Sequence, residues 1–371
     1  MPRPQENHLM KKLALLGISN CIINHGFGKI IKKKLKDNAY VYGIGSCPSM
    51  EVIFKLLQND IINKYEYVVI DFCMIDTQYL ARRELTPPSI VSWLLYIIKM
   101  FNDSKSTPIF LILPNLAIPF FESSSYIYKT VAQIFNISCI DFEEKFNLLD
   151  DFALAPLDDQ NHFYAHYQEV IAESIINETA IKKLINWSRW EILINFYTYG
   201  LDKLKYLFPY TEKRTSLLNK EVVKFQIGNE IIIPDNSWCC GISYWCEKNS
   251  PYLSCKNSAL FLTKNLNLPF DGFFSRPINA LCRGGGAGGK LFLTHQTAGS
   301  FFEPGNCPIF KPPDGISNYL YIHDILLCDI NPYLYGELFL NKFKEIFITE
   351  REELVKKASI RMPYSHFVKI C

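Results

Sequence analysis

Apolar runs and amphipathic stretches alternate along the first half of the chain. Short runs of mostly apolar residues are typical of strands that are buried on both faces of a parallel sheet. Such runs predict strands at Leu13–Gly17, 39–44, 67–72, 109–113 and 137–141. The stretches between them carry apolar residues at helical spacing, which predicts helices at 26–36, 49–58, 89–101 and 124–135.

This alternation of strand and helix predicts an α/β fold for the first part of the chain. Strands joined by crossover helices form a parallel sheet that is covered by helices on both faces. We therefore predict a flavodoxin-like, three-layer α/β/α domain over residues 1–185. A helical tract is predicted to follow from Phe163 to about Leu207, and its later part provides a helical linker over 186–220.

After residue 220 the pattern changes to short strand-like runs that are separated by Pro, Gly and Asn. Residues 222–227 and 230–233 flank Gly228 and Asn229, which predicts a β-hairpin with a two-residue turn. Further strands are predicted at 259–263, 291–294 and 319–327. Short strands with turn signals between them predict a mostly β, sandwich-like accessory domain over 221–371.

Composition supports two globular domains and excludes several classes of function. A chain of 371 residues is longer than one typical domain, and 49% hydrophobic with 20% charged residues is ordinary for a globular protein. The net charge is +2 and the only basic run is the solvated helix end at 32–34, so no nucleic-acid partner is expected. Residues 90–98 form the longest other apolar stretch, far below the ~20 residues that span a bilayer.

The cysteines and the N-terminus bear on the cellular compartment. The twelve cysteines have irregular spacings and include no C-x-x-C pair, so we expect no metal site and free thiols in a reducing compartment. Residues 11–16 imitate the start of a signal peptide, but Ser19 and Asn20 interrupt the apolar run and no small-residue cleavage site follows. These features predict a cytoplasmic protein.

Ser19 and a distant pair, Asp159 and His162, are the candidate catalytic residues. Ser19 comes directly after the first predicted strand, and ligands bind beyond the carboxyl ends of strands in open α/β sheets. A serine hydroxyl needs a base within hydrogen-bond reach, and that base needs an orienting group. His162 would be the base and Asp159, three residues earlier, its orienting group. Alternatively, Asp159 and His162 mark only the start of a helix, where an acid favours the helix dipole.

The sequence from Gly17 to Asn20, together with the D-x-x-H of Asp159 and His162, resembles the SGNH (GDSL-type) hydrolases. Members of that superfamily are esterases, lipases and carbohydrate O-acetyl esterases or O-acetyltransferases. The resemblance covers roughly the first half of the chain. It implies that Ser19, Asp159 and His162 form a catalytic triad.

The resemblance also implies an oxyanion hole. In the family it is built from the nucleophile's own N–H, a glycine N–H on the second loop and an asparagine after the third strand. Ser19 and Gly45 match the first two, but Ile75 stands where the asparagine would lie. Asn20, directly after the nucleophile, is the candidate compensating donor.

The function that the resemblance implies is ester hydrolysis or acyl transfer on O-acetyl groups of a carbohydrate or polysaccharide. Hydrolysis requires no cofactor, whereas a cytoplasmic transferase would take its acyl group from acetyl-CoA. The alternative is a catalytically inactive SGNH-like scaffold that serves as a carbohydrate-binding or assembly protein, because Ile75 replaces a family donor.

Three further patterns in the sequence are a glycine-rich segment, a pair of histidines and a cluster of aromatic residues. The segment from Gly284 to Lys290 has the spacing of a phosphate-binding loop, but Leu291 follows where Ser or Thr should bind magnesium, so we predict a loop that overhangs the site. His162 and His166 have the spacing of a metal pair, yet no metal is predicted because Phe163 lies where a zincin has glutamate. Aromatic residues cluster near the start of the β-rich part, where they either pack in the core or stack on sugars. They are Trp238, Tyr244, Trp245 and Tyr252.

Overall fold

The computed structural model describes residues 12–102, 104–114, 123–143, 162–181, 191–215, 218–247, 249–256, 261–264, 266, 271–278, 289–295, 301–303 and 316–359. The strands of the first half are β1 (Leu13–Gly17), β2 (Ala39–Gly43), β3 (Tyr67–Asp71), β4 (Thr107–Ile112) and β5 (Ser138–Asp141). The helices among them are α1 (Ser19–Ile22), α2 (Phe27–Leu35), α3 (Met50–Gln58), α4 (Ile61–Lys64), α5 (Cys73–Ala81), α6 (Pro87–Asn102) and α7 (Ser125–Phe135).

The first five strands form one parallel sheet in the order β2-β1-β3-β4-β5. Every residue of β1, β3 and β4 is buried, which explains why their sequences are apolar without alternation. This confirms the predicted flavodoxin-like α/β fold. The strand order reverses between β1 and β3, and the carboxyl ends of these two strands therefore flank the position where such folds bind ligands.

The helices of this half are amphipathic where they cover the sheet. In α2, Ile31 and Leu35 are buried while residues 32–34, all lysine, are exposed, as predicted for a solvated face. Helix α5 was not predicted. It begins immediately after β3, and its N-cap residue Phe72 makes no side-chain capping bond, so the sequence lacks the usual start signal.

The middle of the chain departs from the predicted helical tract. Helix α8 (Ala165–Ile181) is followed by strand β6 (Phe196–Tyr199) and the short helix α9 (Leu201–Leu207). The prediction of continuous helix to Leu207 is therefore wrong. Residues 196–199 pair antiparallel with a strand more than a hundred residues later, and that long-range pairing overrides the local helical pattern. The domain boundaries at 185 and 220 stay predictions.

The second half is mostly β, as predicted. Its remaining strands are β7 (Tyr210–Arg214), β8 (Asn219–Gln226), β9 (Glu230–Ile232), β10 (Trp238–Cys246), β11 (Tyr252–Lys256), β12 (Phe261–Lys264), β13 (Gly272–Pro277), β14 (Lys290–Thr294), β15 (Phe301–Glu303) and β16 (Tyr319–Cys328). One sheet has the order β13-β10-β16-β8-β7, with β6 also paired to β16, and a second has the order β15-β12-β11-β14-β9.

The predicted hairpin is wrong in its pairing although its turn is present. Gly228 adopts a φ of 92° and the turn closes through the Asn229 side chain, which accepts from the backbone N–H of Gln226. However, β8 pairs with β7 and β16, whereas β9 pairs with β14 in the other sheet. The turn therefore connects two sheets. Local turn chemistry does not specify which strands pair.

The last two described helices return to the α/β half. Helix α10 (Pro332–Lys342) is capped by the Asn331 side chain, and α11 (Lys344–Ser359) follows it. The Ser92 hydroxyl of α6 donates to the carbonyl of Pro332. A Cβ added at Gly336 would lie 1.9 Å from the Pro88 carbonyl oxygen, so only glycine permits this close approach of α10 to α6. Within the described residues no helix combines the length and hydropathy needed to span a bilayer.

Among the described cysteines, Cys255 departs from the predicted state. Those at 21, 47, 73, 139, 239, 240, 246 and 328 are free thiols, most of them buried. Cys255, in β11, is disulfide-bonded, so the prediction of free thiols is wrong for this residue. A disulfide is unusual in a reducing compartment, and the expectation of a cytoplasmic location loses part of its basis.

Candidate active site

Ser19 lies at the carboxyl edge of the parallel sheet, directly after β1. The backbone of Ile18 is extended (φ −94°, ψ −164°), and the helix α1 begins at Ser19. A Cβ at Gly17 would lie only 2.1 Å from the Cys21 sulfur, so glycine is required for the chain to turn here. The turn buries Ile18 and leaves Ser19 partly exposed, which suits a nucleophile.

His162 meets Ser19 across 143 positions of sequence. Its Nε2 atom lies 3.0 Å from the Ser19 hydroxyl oxygen, within the range expected for a nucleophile and its general base. His162 is partly exposed and precedes α8. Of the three predicted catalytic residues, Asp159 lies outside the described residues, and its role as the orienting group stays a prediction.

Two buried amides hold the segment that carries His162. The Asn20 side-chain oxygen accepts from the Phe163 backbone N–H at 3.3 Å and from the Gln168 amide at 2.9 Å. Gln168 also donates to the Phe163 carbonyl at 3.2 Å, so both backbone groups of Phe163 are bonded. Since Asn20 directly follows Ser19, this network links the nucleophile and the base through buried contacts.

The side chain of Asn20 has a different role from the one predicted. We predicted it as an extra oxyanion donor, but its side chain has no accessible surface (0%) from which to reach a substrate. Gln168 is equally buried, and its oxygen accepts from the Phe27 N–H at 3.0 Å, which satisfies an open donor at the start of α2. The role of Gln168 was not predicted, because nothing in the local sequence pattern marks a glutamine that bridges three segments.

The loop after β2 brings Gly45 to the same edge of the sheet. The Ile44 N–H donates to the Gly17 carbonyl at 3.0 Å, which ties this loop to the end of β1. Gly45 is partly exposed, and a Cβ at this position would meet no atom within 4 Å. Its backbone therefore borders open space beside the turn from Gly17 to Ser19, where an oxyanion donor is predicted.

The loop after β3 supplies no side-chain amide at the position expected from the family pattern. Ile75 is buried within α5. The adjacent Asp76 is also buried, and it accepts from the Ser49 N–H at 2.9 Å and from the Tyr128 hydroxyl at 2.7 Å. Burial raises the pKa of Asp76 to about 6. This buried carboxyl anchors the start of α3.

A second buried carboxyl lies against the turn that follows β1. Asp71, the last residue of β3, has no accessible surface, and its Oδ2 accepts from the Cys21 thiol at 3.6 Å. Burial raises the pKa of Asp71 to about 7, against the opposing effect of its hydrogen bonds from Cys21 and Ile18. Its Oδ1 has no hydrogen-bond partner in the described part of the chain.

The other sequence patterns fall only partly within the described residues. Most of the segment from Gly284 to Lys290 lies outside the described residues, and Lys290 itself begins β14 and pairs with Glu230. His166 is exposed and its ring packs against that of Tyr167 in a tilted arrangement, with ring centroids 4.0 Å apart. No group of three potential metal ligands occurs among residues with described positions. Within the aromatic cluster, Tyr244 and Trp245 are buried in the core, whereas Trp238 and Tyr252 are partly exposed.

Solved structures share this architecture. A crystal structure of a two-domain esterase (CEX) active on acetylated mannans matches with a TM-score of 0.55 and 9% identity, over 85% of this chain and 90% of that chain. The crystal structure of such an esterase co-crystallised with mannopentaose gives a TM-score of 0.55 and 10% identity, over 85% and 91% of the two chains. The sequence matches no family model and no curated protein. The chain thus shares the fold of these two-domain esterases.

Proposed function

We propose that this protein is a serine esterase that removes small acyl groups, such as O-acetyl, from a carbohydrate. The observation that carries the proposal is the 3.0 Å contact between the Ser19 hydroxyl and His162 Nε2 at the carboxyl edge of the sheet. Ser19 is partly exposed there, so an ester carbonyl has access to its oxygen.

Acylation would begin with attack of the Ser19 oxygen on the ester carbonyl carbon while His162 Nε2 takes the hydroxyl proton. The tetrahedral intermediate then collapses, the C–O bond to the sugar breaks, and His162 returns the proton to the leaving sugar oxygen. The product of this half-reaction is acyl-Ser19 and a free alcohol. Asp159 would orient the imidazole of His162.

Deacylation would run through the same groups. His162 removes a proton from water, the resulting hydroxide attacks the acyl-Ser19 carbonyl, and the proton returns to the Ser19 oxygen as the carboxylic acid leaves. The backbone N–H groups of Ser19 and Gly45 would stabilise the oxyanion in both halves. Loss of one such donor costs about 10²- to 10³-fold in rate, so the hydrocarbon side chain at Ile75 predicts a slow enzyme.

The shared fold supports the proposed substrate class. The two-domain esterase of the same architecture acts on acetylated mannans, which supports an acetylated polysaccharide as the substrate here. If a sugar hydroxyl replaces water in the second step, the same residues perform acyl transfer, and acetyl-CoA would be the donor. The disulfide at Cys255 favours an oxidising compartment, where acetyl-CoA is not the expected donor.

Two assays test the proposal. The first follows p-nitrophenol release from p-nitrophenyl acetate, and the second follows acetate release from acetylated mannan. We expect activity in the wild type and its loss in Ser19→Ala and His162→Gln. Ser104→Ala is the matched control, because Ser104 precedes β4 at the opposite edge of the sheet. Equal rates in wild type and Ser19→Ala would refute the enzyme hypothesis and favour the inactive scaffold.

The acceptor is tested in the same reactions. Addition of mannopentaose to the p-nitrophenyl acetate assay would yield acetylated oligosaccharide, detected by mass spectrometry, if the protein is a transferase. We expect free acetate and no acetylated oligosaccharide. Acetylated mannopentaose as the main product would replace the esterase assignment with acyl transfer.

A further inference from the structure

One charged side chain of the β-rich half reaches the loop that carries Gly45. Arg276 lies on β13 and is 1% exposed, and its Nη1 atom donates to the Ser46 carbonyl at 2.6 Å. The hydroxyl of Tyr79, on α5, donates to the same carbonyl at 2.9 Å. Burial lowers the pKa of Arg276 to about 10, so the guanidinium remains charged at neutral pH.

The loop needs such support because its backbone is strained. Residues 44–47, here called the oxyanion turn, include Ser46 at a φ of 54°. A residue other than glycine in this left-handed region costs roughly 1 kcal/mol of conformational free energy. Surrounding contacts must therefore hold Ser46 in this conformation. The first residue of the oxyanion turn is tied to the Gly17 carbonyl, and Arg276 and Tyr79 bind the carbonyl just beyond Gly45.

Neighbouring contacts show that the β-rich half and the α/β half form a hydrogen-bonded, packed interface around Arg276. The Ser275 N–H donates to the Cys47 sulfur at 3.1 Å, and the Ser275 hydroxyl donates to the buried carboxyl of Glu51. A Cβ at Gly241 of β10 would lie 2.2 Å from the Met50 sulfur, so the second half packs directly on the start of α3. Buried charged and polar groups are costly unless they are bonded, and here Arg276 and Glu51 are both bonded across the interface.

We propose that Arg276 is a positioning residue for the oxyanion turn, and that the β-rich half is therefore part of the catalytic unit. This rests on the proposed esterase function. With almost no accessible surface, Arg276 does not touch substrate; it acts by fixing the peptide between Ser46 and Cys47, in the same turn as Gly45. A displacement of catalytic groups by about 1 Å can cost 10²-fold in rate, so a loosened oxyanion turn lowers kcat.

The test compares variants of the full-length protein in the p-nitrophenyl acetate assay. We expect Arg276→Met to lower kcat about 10- to 100-fold with KM changed less than about twofold, because the defect lies in transition-state stabilisation. Arg276→Lys, which keeps a charged donor, recovers part of the loss. Arg214→Met is the matched control, since Arg214 lies on β7 with 70% of its side chain exposed, and it retains wild-type kcat.

A second variant, Tyr79→Phe, tests the support of the Ser46 carbonyl even if Arg276→Met does not fold. It removes only the second donor to the Ser46 carbonyl, and we expect a lower kcat at unchanged KM in a protein with a wild-type circular dichroism spectrum. If Arg276→Met does not fold, this variant decides. Wild-type kcat in the folded Arg276 and Tyr79 variants, or a change in KM alone, overturns the positioning role while the esterase function stands. A wild type that is as inactive as Ser19→Ala overturns the esterase function itself, and the inference with it.

Discussion

The wild-type protein should lose stability as the pH rises because Asp71 is buried, and the Asp71→Asn variant should lack this loss. An ordinary aspartate has a pKa of about 3.9, whereas burial raises the pKa of Asp71 to about 7 in the folded protein. Between these values the folded state holds a proton that the unfolded state has released. The contribution of Asp71 to the free energy of unfolding therefore falls as the pH rises from about 4 to 7, and it is constant above that range.

The magnitude follows from the interval between the two pKa values. Three pH units at about 1.4 kcal/mol each correspond to about 4 kcal/mol in total, of which about 3 kcal/mol is lost between pH 5 and pH 8. Asp71→Asn is nearly isosteric and neutral at every pH, so it lacks this contribution. Burial also raises the pKa values of Asp76 to about 6 and Asp324 to about 7, but both remain in wild type and variant and cancel in the comparison.

The assay is urea unfolding at pH 5 and pH 8, followed by circular dichroism. We expect the wild type to lose about 3 kcal/mol more than Asp71→Asn between the two pH values. Asp37→Asn is the control, since Asp37 is exposed in the turn after α2, and it should parallel the wild type. Identical pH slopes in wild type and Asp71→Asn would refute the conclusion that this carboxyl binds a proton more tightly in the folded state.

Three further predictions concern the support of the site and the framework. Asn20→Ala leaves the buried N–H of Phe163 without its acceptor; we expect about 1–3 kcal/mol lower stability in urea and a reduced kcat, and wild-type kcat would contradict the positioning of the base. Gly336→Ala should destabilise the protein by about 1–3 kcal/mol in urea, because its Cβ would meet the Pro88 carbonyl oxygen; an unchanged unfolding midpoint would argue against this helix contact. Iodoacetamide added to denatured, unreduced protein should leave Cys255 unlabelled in peptide mass spectrometry, whereas labelling without reductant would exclude the disulfide.

Features that depend on local sequence were predictable. The strand Leu13–Gly17 is apolar because it is buried on both faces, and the break at Gly17 marks the position of Ser19. The order of strands and helices then specified the sheet and the edge to which Ser19 belongs. The contact of His162 with Ser19 was a spatial inference from two motifs, and the two atoms do lie within hydrogen-bond distance.

Features that depend on distant partners were not predictable. Residues 196–199 are a strand because β16 offers a pairing edge, and β9 leaves the predicted hairpin because β14 pairs with it. Arg276 and Gln168 carry no local signal, since an isolated arginine or glutamine is ordinarily a surface residue. Their significance arises only when the fold buries them against the Ser46 carbonyl and the Phe163 backbone.

The most direct test of a reactive Ser19 activated by His162 is covalent labelling with a p-nitrophenyl phosphonate, followed by mass spectrometry of the peptides. We expect one adduct, on the peptide that contains Ser19, in the wild type and in Ser104→Ala. Ser19→Ala should remain unlabelled, and His162→Gln should react at least about 10²-fold more slowly. An unlabelled wild type, an adduct on another residue, or a full rate in His162→Gln would contradict the proposed nucleophile and base.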